Sequence, residues 1–189
     1  MSTPINSIPQ GTIVLTYEDY CDLPNDRSRY EILDGELSVT LAPSTKHQRI
    51  SGRLHFALTQ HVLANRLGDV HAAPTDLILA PTTVVQPDLI FIGNDRRGIV
   101  TERAIEGPPT LVAEILSTTT RRTDRQTKAQ LYAKHGVLHY WLIDPDLQSV
   151  EAYELTGGQY NLAAKAQNAE AFNPSLFPGL SIALADLWS

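Results

Sequence analysis

Two carboxylates in this chain are placed where they could share one charged partner. Asp88 stands in "QPDLIFI", at the head of an apolar run, and Glu114 stands inside "LVAEILS", which is otherwise apolar. An ionised carboxylate buried without a partner is costly, or it takes up a proton. If the two runs form neighbouring strands, both groups reach one place on a sheet. Two hard oxygen ligands there suit Mg2+ or Mn2+, an ion that activates water and stabilises charge on a phosphate. The same residues admit a plainer reading. An Asp after Pro commonly makes only local turn hydrogen bonds, and a single Glu in a strand can point outward at a sheet end.

A basic island follows. "STTTRRTDRQTKAQLYAKHG" carries Arg121, Arg122, Arg125, Lys128 and Lys134 against Asp124 alone. Lys128, Leu131 and Tyr132 are three and four apart and share a helical face. Lys128 could therefore lean inward and stabilise charge or orient a water; a solvated helix face is the alternative. Glu31 in "YEILDGEL" faces away from Tyr30 and Ile32, either into the same site or toward solvent. His47 opens a long helical pattern, a position where histidines are commonly structural or exposed. No phosphate-binding loop, dinucleotide fingerprint, nucleophile elbow or H-E-x-x-H pair occurs.

The elements that must hold these residues can be read from periodicity. Thr16 with Asp19 three residues on suits the start of a short helix that ends at Pro24. Asp34-Gly35 between two apolar runs predicts a hairpin of strands at 29–33 and 36–41. Ile50, Leu54, Leu58 and Val62 at helical spacing, closed by Gly68, predict the longest helix. "DVHAAPTDLILA" and "TVVQPDLIFIG" read as two strands, and a polar loop with one helical turn follows. "TLVAEILS" reads as a central strand covered on both faces. A helix over 121–134, a strand at "HYWLIDP", a hairpin about Gly157-Gly158 and a short final helix complete the chain. This order implies an α/β or α+β protein with a mixed central sheet flanked by helices.

Composition narrows the class. The 189 residues are 42% hydrophobic, enough for one globular domain, expected over residues 16–189 behind a loose N-terminal tail at 1–15. The net charge of -6 argues against non-specific wrapping of nucleic acid, though not against a local basic groove. Cys21 is the only cysteine, which excludes an internal disulfide and a cysteine-rich zinc site. No apolar run approaches a membrane span, and "MSTPINSIPQG" lacks the pattern of a signal peptide. The expected setting is cytoplasmic, away from membranes.

Taken together, "YEILDGEL", "APSTKHQRISGRL", "VVQPDLIFI", the long block from "GIVTERAIEGPP" to "HYWLIDP" and the closing "FPGLSIAL" resemble the Uma-two family of restriction-endonuclease-like proteins, within the PD-(D/E)XK nuclease superfamily. The resemblance runs over about residues 16–188. It implies the restriction-endonuclease-like fold and a metal-dependent endonuclease acting on DNA. Asp88 and Glu114 would bind Mg2+ or Mn2+ with the backbone carbonyl of Ile115, Lys128 would be the catalytic lysine, and Glu31 a further ligand or water-orienting group. The superfamily places its lysine two residues after the Glu; here that residue is Leu116, and Lys128 on the next helix would take over. Arg121, Arg122, Arg125 and His47 are the expected contacts to nucleic acid, and a homodimer is the expected assembly. The rival readings are a nuclease-fold module that has lost catalysis and binds nucleic acid or a protein, and a structural protein in which Glu114 and Lys128 are solvated.

Overall fold

The structure, a computed structural model, describes residues 13–24, 26 and 28–189. The expected N-terminal tail therefore lies outside the described residues up to position 12. Beyond it, the Leu15 N–H donates to the Gly35 carbonyl at 2.9 Å.

Helix α1 (Tyr17–Cys21) starts on the Thr16–Asp19 capping box expected from the sequence. Strands β1 (Arg29–Leu33) and β2 (Glu36–Thr40) pair antiparallel about Asp34-Gly35, both of which have positive φ, as a tight hairpin requires. Helix α2 (Thr45–Asn65) is capped by the Ser44 side chain, which accepts from the His47 N–H.

The next two apolar runs depart from expectation. Each is broken in two, and the halves go to different sheets. "DVHAAPTDLILA" gives β3 (Gly68–Ala72) and β4 (Leu77–Ala80); "TVVQPDLIFIG" gives β5 (Thr83–Val85) and β6 (Leu89–Gly93). In both runs the break lies at a proline, which cannot donate to a ladder. After a 3-10 turn at Asn94–Ile99 come β7 (Ile105–Glu106) and β8 (Leu111–Ile115). The helix expected over 121–134 is present, but residues Thr123–Lys128 are wound as a π-helix before α3 (Ala129–Lys134). Strands β9 (His139–Asp144), β10 (Ser149–Thr156) and β11 (Gln159–Gln167), a two-stranded ribbon of β12 (Ala171–Phe172) and β13 (Ile182–Ala183), and helix α4 (Leu184–Trp188) complete the chain.

There are thus two main sheets rather than one. The larger is mixed, in the order β11-β10-β9-β8-β6-β3, with β8 and β9 parallel; the smaller runs β2-β1-β5-β4-β7. Alternation along β8 explains the layers. Leu111, Ala113 and Ile115 face one way and join Ile50, Leu54, Leu58 and Val62 of α2 in a core that also holds Trp141 and Phe177. Val112 and Leu116 face the other way and join Leu131 and Tyr132, together with Leu33, Leu77 and Val85 of the smaller sheet. Glu114, between Val112 and Leu116, is on that second face. No helix among the described residues is long and apolar enough to cross a membrane.

Candidate active site

The site lies where the chain passes from one sheet to the other. Gln86, Pro87 and Asp88 link β5 to β6, and so carry the chain from the neighbour of β1 in the small sheet to the neighbour of β8 in the large one. Asp88 precedes β6 and is buried. Its Oδ2 accepts from the Ile115 N–H at 2.8 Å and lies 3.1 Å from His47 Nε2; its Oδ1 accepts from Arg29 Nη1 at 3.1 Å. Burial alone would raise the Asp88 pKa, but the His47 hydrogen bond and the Arg29 charge outweigh it, and the carboxyl is held below its ordinary range. His47 Nε2 is also 3.1 Å from the Ile115 carbonyl oxygen, while its Nδ1 is buried without a partner. Burial pulls the His47 pKa down, and the bond to Asp88 more than offsets this.

Lys128 is the hub of the second half. It is 3% exposed, and its Nζ donates to Glu31 Oε1 at 2.8 Å and Glu114 Oε1 at 3.0 Å, with Asp124 Oδ1 at 3.5 Å. Glu31 Oε1 also accepts from the Gln86 N–H at 2.9 Å, and Glu114 Oε1 from the Tyr132 hydroxyl at 2.8 Å. Burial lowers the Lys128 pKa, but Glu114, Glu31 and Asp124 raise it further, so the ammonium stays charged. Burial pushes Glu114 up to about 8, in spite of Lys128. On the helix, Lys128 shares its buried face with Asp124, Leu131 and Tyr132. The π-helical turns lie where Lys128 leaves the backbone, a placement such turns favour at functional sites.

The four residues expected to carry catalysis, Glu31, Asp88, Glu114 and Lys128, all line one cleft of about 360 Å3, with Ile115 and His47. His47 also lines this cleft, its Nε2 turned to Asp88 and the Ile115 carbonyl. The expected phosphate contacts are differently placed. Arg121 is paired with Asp144 and Asp146, and Arg125 with Glu151 at 2.8 Å, while Arg122 is exposed beside Gln126. Arg29, Tyr132, Asp124 and the Gln86 N–H were not singled out from the sequence. Tyr132 shares the helical face of Lys128 and was within reach of that argument. Arg29 and Gln86 depend on the junction between sheets, which no local pattern encodes.

The donor set fits a divalent cation in charge and in chemistry. Among the described residues, no group of three or more histidine, cysteine or acidic side chains is close enough to hold an ion by side chains alone. The convergence is instead of Asp88 Oδ2, His47 Nε2 and the main-chain oxygen of Ile115. Around it, four buried carboxyls (Glu31, Asp88, Glu114, Asp124) face two permanent cations, Lys128 and Arg29. A divalent ion would supply further positive charge to this group of buried carboxyls.

Comparison with known proteins agrees with this architecture. A crystal structure described as a putative nuclease belonging to DUF820, from Anabaena variabilis ATCC 29413, superposes with a TM-score of 0.74 at 22% identity, covering 92% of this chain and 97% of that one. At that identity the likeness speaks for the fold. No curated protein matches the sequence. The model of the Uma2 family, described as "Putative restriction endonuclease", matches residues 17–185. By a match over nearly its whole length, and with the restriction-endonuclease-like arrangement of sheets described above, the chain belongs to the Uma2 family.

Proposed function

We propose that the protein is a divalent-metal-dependent endonuclease that hydrolyses phosphodiester bonds of DNA. The observation that carries this reading is the convergence of Asp88, Glu114, Glu31 and Lys128, from four separate elements, on one cleft with the Ile115 carbonyl. Asp88, the Ile115 carbonyl and His47 Nε2 would hold Mg2+ or Mn2+, and Glu114 would join them by turning away from Lys128 and Tyr132. A bound ion of this kind lowers the pKa of water and neutralises charge on a phosphate. Lys128, held charged by its carboxylates, acts as a fixed positive donor rather than as a base: it stabilises negative charge or fixes the position of a water. Glu31 holds the ammonium together with Glu114. The reading includes a homodimer, because cutting both strands of a duplex calls for two sites.

Cleavage of plasmid DNA in Mg2+ and in Mn2+ tests this. Asp88→Ala and Glu114→Ala should abolish it while the fold persists; unchanged cleavage in both variants would overturn it.

One observation favours a second reading, a module that binds nucleic acid or a protein without cutting. The resident groups Arg29, His47 and the Ile115 N–H already satisfy Asp88 without an ion. Binding of DNA with no turnover in any divalent metal would select that reading.

A further inference from the structure

Arg29 occupies the wall of the cleft and is used on one side only. Its Nη1 donates to Asp88 Oδ1 at 3.1 Å, while Nε and Nη2 are buried and have no hydrogen-bond partner. An unsatisfied buried donor is costly, and more so when charged. The nearest carboxylate does not relieve it. Glu31 Oε1 is 4.0 Å from Nε, too far for a hydrogen bond, and already accepts from Lys128 and the Gln86 N–H. Nε and Nη2 together make one edge of the planar guanidinium, with two parallel N–H directions. That edge matches two oxygens of a phosphate or carboxylate. If Arg29 served only to neutralise Asp88, one donor would suffice and a lysine would do.

We propose that Arg29 binds the phosphate of the substrate through its Nε–Nη2 edge while Nη1 stays on Asp88. The side chain is 18% exposed and lines the cleft, and the buried Nε–Nη2 edge would meet a phosphate on turning toward it. Arg29 thereby ties the position of the phosphate to the position of the carboxylate that precedes β6. This inference rests on the phosphodiester reading, since it supplies that reading with the group that grips the substrate.

The test uses inorganic phosphate as probe, in the presence of Mg2+, and needs no cleavage. Phosphate should shift one arginine Nε–H resonance of the 15N-labelled wild-type protein, the resonance that Arg29→Lys and Arg29→Met both lack. By calorimetry, Arg29→Lys should bind phosphate at least about tenfold more weakly, as expected for loss of a charge-assisted bidentate contact. Its Mg2+ affinity should stay within about threefold, a change under about 1 kcal/mol. Equal phosphate binding by Arg29→Lys, or Nε–H resonances that do not move in the wild type, would overturn the assignment. So would loss of Mg2+ binding together with phosphate binding, which would make Arg29 a support for Asp88 only. A shift at Arg29 in a protein that cuts no DNA would sink the nuclease reading and leave the phosphate site standing.

Discussion

His47 Nε2 lies 3.1 Å from Asp88 Oδ2, although 41 residues separate them in the chain. The contact joins the first turn of α2 to the junction between the two sheets, and it places a nitrogen among the oxygen atoms that would hold an ion. Imidazole suits transition metals, whereas Mg2+ prefers oxygen alone. His47→Ala should therefore weaken Mn2+ binding by about tenfold or more, a loss of at least about 1.4 kcal/mol. It should weaken Mg2+ binding less. Calorimetric titration of both ions checks the difference; equal losses would remove His47 from the ion's ligands.

Among the described residues, Lys128 is the only ammonium beside the buried carboxyls of its half of the site. Removing it leaves Glu31, Glu114 and Asp124 without their shared cation. Lys128→Met should cost about 3–5 kcal/mol of stability at neutral pH, the usual penalty for breaking a buried ion pair on one side. Urea unfolding measures it, and a loss below about 1 kcal/mol would mean that the carboxyls are already neutral.

Leu116 stands where the superfamily's strand lysine would be, on the same face of β8 as Glu114, and both Leu116 and Lys128 line the cleft. The exchange Leu116→Lys with Lys128→Leu keeps one ammonium in the cleft and returns it to the strand. The double variant should cut DNA faster than Lys128→Leu alone. Identical rates would show that the helix position does something the strand position cannot.

Beside the cleft, Asp144 is fully buried at the end of β9 and is held by Arg121 and by the N–H groups of Asp146 and Leu147. Burial raises its pKa, but these bonds prevail and the folded value is depressed. A depressed carboxyl contributes stability above its unfolded pKa and loses it as pH falls through the folded value. Asp144→Asn should cost about 2 kcal/mol at pH 7, the range for hydrogen bonds to a charged group. The gap to wild type should close in acid, below the unfolded pKa of 3.8. Unfolding curves at both ends of that pH range decide it.

What the sequence made legible was local. The Asp34-Gly35 hairpin, the α2 stripe of Ile50, Leu54, Leu58 and Val62, and the odd Glu114 in an apolar strand each carry their signal within a few residues. Glu114 and Lys128 were also within reach, because helix and strand periodicity fix which face each side chain occupies. The split of two apolar runs between two sheets was not legible. An apolar run marks burial but not the sheet it joins, and Pro74 and Pro87 could be read as edge residues as readily as breaks. The contacts of His47 and Arg29 with Asp88 depended on that split, so neither contact could be read from the sequence.

The crossing at Gln86–Asp88 has a consequence for the life of the chain. Glu31 and Arg29 belong to the small sheet, Glu114 to the large one, and Lys128 bridges them. No fragment that folds one sheet alone can assemble the constellation. If the chain cuts DNA as proposed, a partly synthesised or partly melted chain would be unable to do so, because the constellation forms only once the two halves have closed on each other. On the proposed function, the fold itself is the safety catch.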